Sequence, residues 1–126
     1  MSLNQFMNEN LDVIKDEIIK NIPNPEFDSH EFIRHFAKKF EVSYIEFLSS
    51  YKLEPFRKVH AQIGMFLSMN QELLQIKDFG TTLSPNIFGI ESPNERWIKT
   101  DPRSSAQMEL TFRRLRLGGK VSNQKA

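Results

Sequence analysis

Up to Asn70 the apolar residues of this chain recur every three or four positions, and beyond Asn70 they alternate. A period near 3.6 lays side chains along one face of a helix, whereas a period of two lays them along one face of a strand. Leu3, Phe6, Met7, Leu11, Ile14, Ile18 and Ile22 predict one helix over residues 3–22, about five turns long. Pro23 and Pro25 end it, having no N–H for the ladder, and its other face is acidic. Asp28 and Ser29 offer an N-cap, with Glu31 close by, to a second helix bearing Phe32, Ile33, Phe36 and Phe40. Ser43, with Glu46 three residues on, has the spacing of a capping box and opens a short helix with Ile45, Leu48 and Tyr51. Pro55 suits the first position of a further helix carrying Phe56, Val59, Ile63, Phe66 and Leu67.

After Asn70, Leu74, Ile76 and Asp78 alternate with Gln75, Lys77 and Phe79, which predicts a strand over 73–79 closed by Gly80. The next stretch, SPNIFGIESPNERWIK, holds the triplet Ser-Pro-Asn twice, at 84–86 and 92–94. Proline fixes its own φ and extends the residue before it, and Asn favours turns. The triplets therefore predict two corners that fold an irregular sheet back against the helices, with a last strand over 96–100 and Trp97 lying over the helical core. The expected fold is mainly α with a small β element: one domain over 1–100, including the helix at 3–22, then a basic C-terminal tail over 101–126.

A chain of 126 residues, 39% hydrophobic and 26% charged, has the size and composition of one globular domain. It contains no cysteine, which excludes disulfides and thiolate metal sites and fits a reducing, cytoplasmic setting. No apolar run approaches the ~20 residues of a membrane span, and no basic region precedes an apolar one at the N-terminus. The net charge of +1 hides an asymmetry. Residues 1–28 hold two basic and six acidic side chains, whereas residues 101–126 hold six basic and two acidic ones. A basic tail suits an anionic polymer or serves solubility.

Signals for catalysis are few. His30 and His35 flank Glu31, but they stand five apart, about 140° out of register on a helix, where a zinc pair stands four apart. His60 lies among Val59 and Ile63 and reads as a packed histidine. Gly118, Gly119 and Lys120 lack the flanking strand and helix of a phosphate loop. No catalytic residue, metal ligand or cofactor site is assigned, and no enzyme is expected.

The segment VSYIEFLSSYKLEPFRKVHAQIGMFLSMNQELLQIK, residues 42–77, places a short helix, a four-residue turn containing Leu53, a longer helix and an extended run in succession. This resembles a winged helix-turn-helix domain over roughly residues 29–100, with the helix at 3–22 as an addition. The resemblance implies a recognition helix at 55–69 that enters the major groove of duplex DNA, followed by a wing. Arg57 and Gln62 would contact base edges and Lys58 a phosphate. Lys77, Arg96 and Lys99 would meet the backbone near the wing, and Arg113, Arg114 and Arg116 would follow it from the tail. The implied role is a non-enzymatic DNA-binding protein, regulatory or accessory. The alternative is a protein-interaction adaptor or inhibitor on the same fold, and a neutral or acidic face over 57–65 with exposed Phe or Met would favour it. Leu3, Phe6, Met7, Leu11, Ile14 and Ile18 would serve either a homodimer or packing within the monomer.

Overall fold

Asn10 interrupts the first helix. Its side chain donates to the carbonyl of Phe6 at 2.8 Å, competing with the backbone, and its φ/ψ of −110°/23° is not helical. The computed structural model describes residues 1–100, and in place of one helix over 3–22 it has α1 (Leu3–Glu9), a single turn α2 (Leu11–Val13) and a π-helical stretch, Ile14–Ile19. The wider π turn, with the amide of Lys20 bonded to the carbonyl of Lys15, brings the adjacent Ile18 and Ile19 into the core together with Ile14 and Ile22. The stripe offered for a homodimer is thereby covered within the chain. Leu3, Met7, Ile14 and Ile18 are buried, and Phe6 meets the rings of Phe40 and Phe47 at 5.0 and 5.5 Å.

Strand β1 (Glu26–Asp28) follows the prolines and leads directly into α3 (Ser29–Lys39), whose first turn Asp28 caps by accepting from the amide of Glu31 at 2.9 Å. Helix α4 (Glu41–Ser49) begins two residues before the expected cap, so Ser43 lies inside it. Phe40 alone links α3 to α4, and its ring is held by Phe6 and Phe36 at 5.0 and 5.2 Å. Packing overrides the capping preference there. Glu54, in the left-handed region at φ 48°, turns the chain into α5 (Pro55–Met69), which starts at the proline. Val59, Ile63, Phe66 and Leu67 form its buried face.

The expected strand over 73–79 is displaced. Residues 71–74 form a last helical turn, α6 (Gln71–Leu74), Gln75 reverses direction at φ 59°, and β2 runs from Ile76 to Pro85. Gly80 does not close the strand. With φ 95° it sits at a bulge between Asp78 and Thr81, a conformation suited to glycine. Strand β3 (Glu91–Lys99) returns along β2, and β1 adds to its far edge, giving a three-stranded antiparallel sheet of order β1-β3-β2. Trp97 is fully buried, and its indole N–H donates to the Ser29 hydroxyl at 3.0 Å. The architecture is mainly helical with a small sheet.

The Ser-Pro-Asn triplets are not two corners of an irregular sheet. They lie along one hairpin, Ser84 and Pro85 ending β2, Asn86 opening its loop and the second triplet within β3, with Ser84 opposite Ser92, Pro85 opposite Glu91 and Pro93 opposite Leu83. Proline is tolerated at 93 because β1 reaches only to Arg96, leaving that stretch of β3 with a neighbour on one side alone.

Candidate functional site

The outer face of α5 is the first place to look, because six of the expected contact residues lie on it or at the base of the sheet. Arg57 is exposed and makes a two-pronged pair with the Glu54 carboxylate, at 2.7 and 3.3 Å. That hydrogen bond and charge hold the Glu54 carboxyl below its usual range and raise the guanidinium. Such an exposed pair is weak and yields readily to another anion. Lys58 lies over the ring of Tyr51, 5.5 Å from its centre, and the Gln62 amide donates to the Tyr51 hydroxyl.

The sheet residues form a separate group. Arg96 donates to the carbonyl of Phe79 at 3.4 Å and stacks 4.9 Å from that ring. The Lys99 ammonium reaches back to the carbonyl of Ile22, closing the end of the first helical run, and burial lowers its pKa. Lys77 is exposed at the foot of β2, opposite Ile98. Arg113, Arg114 and Arg116 lie outside the described residues. The expected contacts thus divide into an α5 group already engaged with neighbouring side chains and a sheet group in which Lys99 has a structural task.

Beyond Gln62 the open surface of α5 is largely apolar. Met65 is 62% exposed, Met69 75%, and Leu73 on α6 60%, with Ala61 and Ser68 exposed beside them. The hairpin beyond Asp78 has the same character. Between residues 79 and 95 it carries Glu91 and Glu95 and no Lys or Arg. Its tip exposes Leu83, Phe88 and Ile90, and Phe88 meets the Phe56 ring edge-on at 4.8 Å. Glu95 is held protonated to higher pH by its hydrogen bond with the Asp78 carboxyl.

A polar seam joins the hairpin to α3, and nothing in the periodicity announced it. The His30 ring nitrogen Nδ1 lies 3.0 Å from the Ser84 hydroxyl and 3.1 Å from its carbonyl. Asn94 accepts from the His30 amide at 2.9 Å and donates to the Ser84 hydroxyl at 3.1 Å. Arg34 donates to the carbonyl of Pro85 at 3.0 Å. The repeated triplet itself was the available signal: a hairpin centred on Phe88 sets its two serines opposite each other.

Behind the seam, a groove of about 520 Å³ runs between α5 and the hairpin, lined by His30, Phe56, His60, Gly64, Phe88 and Ser92. The Tyr44 hydroxyl and His60 Nε2 share a hydrogen bond of 2.6 Å, and burial, aided by the charge of His30, lowers the imidazole to about 4. Burial raises Tyr44 to about 12. Both groups are therefore neutral at pH 7. Among the described residues no group of three or more His, Cys, Asp or Glu is placed to hold a metal ion, and no helix is long and apolar enough to cross a membrane. Neither a protein-family model, nor a curated protein, nor a solved structure matches this chain.

Proposed function

We propose that the chain is a protein-docking module of winged-helix type, with α3, α4 and α5 as its three helices, β2 and β3 as its wing, and the outer face of α5 as its contact surface. The order of elements supports the fold: α4 and α5 joined by a tight turn, then a hairpin whose return strand pairs with a short strand preceding α3. One observation carries the docking reading. The exposed surface of the second half of α5 is a stripe of Met65 and Met69 continued by Leu73, while the distal hairpin between residues 79 and 95 has an apolar tip and no basic side chain. The acidic distal part of the hairpin disfavours phosphate, whereas an apolar protein surface fits its tip and the methionine stripe.

Binding of duplex DNA through the same helix is the second reading, favoured by Arg57, Lys58 and Gln62 standing in its first half. Both readings are tested by titrating a labelled duplex with the full chain at low salt, roughly 50 mM. The docking reading expects no binding that weakens linearly with log salt. Salt-dependent binding that Arg57→Ala and Gln62→Ala make less selective, and Lys99→Ala does not abolish, would assign the face to DNA instead.

A further inference from the structure

We infer that the partner of the α5 face is a second copy of this chain, paired helix to helix in antiparallel fashion across a two-fold axis at Met65. The inference rests on the docking reading above. At 3.6 residues per turn, Lys58, Ala61, Met65, Met69 and Glu72 fall within about 40° of one line along the helix. The phase survives the break at Asn70, because Ile63, Leu67 and Leu74 stay buried on the opposite side throughout.

An isologous contact brings together positions equidistant from its axis. Met65 then meets its own copy. Ala61, the small residue on the stripe, meets Met69, the most exposed of its large ones at 75%. Lys58 meets Glu72 of the other copy, and the same pair forms twice. Size and charge are thus both self-complementary about one residue, a property that neither a phosphate backbone nor an arbitrary protein requires. The pairing also buries Leu73 at each edge and covers the helix face a DNA duplex would need, so dimer and duplex exclude each other.

Sedimentation of the full chain, from a few to about 100 µM, tests this with four proteins. The wild type is expected to approach twice 14.8 kDa, and Met65→Lys to remain at 14.8 kDa at every concentration. Met65 is largely exposed, so this variant keeps its core. Lys58→Glu and Glu72→Lys each place two like-charged pairs across the axis and should weaken association roughly tenfold, while the double variant should recover to within about threefold of wild type. A wild type that stays monomeric overturns the inference and leaves the docking reading to the duplex titration. A dimer indifferent to Met65→Lys, or a double variant no better than the singles, overturns the inference equally.

Discussion

The two Ser-Pro-Asn triplets are identical in sequence and opposite in duty. The first turns inward on its own loop: Asn86 Oδ1 accepts from the amides of Phe88 and Ile90 at 2.9 and 3.1 Å, and its backbone amide bonds the carbonyl of Ile90. The second reaches across the domain: Asn94 binds the first turn of α3 through the His30 amide and the opposite strand through Ser84. Both run in the same chain direction on antiparallel strands, so only their serines can meet. The prolines and asparagines necessarily fall at unlike places. Identical local chemistry made one a loop closure and the other a rivet between sheet and helix, and the partner across the hairpin decided which.

Asn94→Ala should therefore give the largest effect of any change in the triplets. It leaves the His30 amide and the Ser84 hydroxyl short of a partner in a half-buried seam, at a cost of about 2–3 kcal/mol. Chemical denaturation followed by Trp97 fluorescence reads it, and a loss below that of Asn86→Ala would break the comparison. Acid should act on the same region from behind. Above pH 6.5 His60 is neutral in both the folded and the unfolded chain; below it the unfolded chain gains a proton that the folded imidazole refuses until about pH 4. Stability should fall across that window and level off beneath it, by about 1–2 kcal/mol once partial exposure of the ring is discounted. His60→Gln should flatten the profile.

Gly89 closes the first triplet's loop at φ 79°. Gly89→Ala should cost about 1 kcal/mol, through strain alone, since no atom stands where its Cβ would go. Asn86→Ala should have the smallest global effect, about 0.5 kcal/mol, because water replaces its bonds at an exposed tip. Hydrogen exchange sharpens the point: the amides of Phe88 and Ile90 should lose protection while that of His30 keeps it.

Features set by near neighbours were legible in the sequence. Asp28 caps α3, Pro55 opens α5, and Val59, Ile63 and Leu67 face inward, as their spacing required. Features set by distant partners were not. Asn10 breaks a helix whose apolar stripe runs on without a gap, and Phe40 starts α4 early because Phe6 holds its ring. Pro85 and Pro93 read as corners, since only the register tells that no ladder bond is asked of Pro93. The same division holds for the site. The residues on the α5 face could be named in advance, but not that Glu54 and Tyr51 would engage Arg57, Lys58 and Gln62 while methionines dominate the exposed second half of the helix.

The order β1-β3-β2 leaves the ten-residue β2 as an edge. An edge strand of that length invites addition of further strands and, in crowded solution, stacking into fibrils. The bulge between Asp78 and Thr81 twists the rim away from flatness, and Pro85 removes an N–H at its far end. Deleting Gly80 would straighten that rim, and with it the chain's colloidal safety would be lost before its fold was.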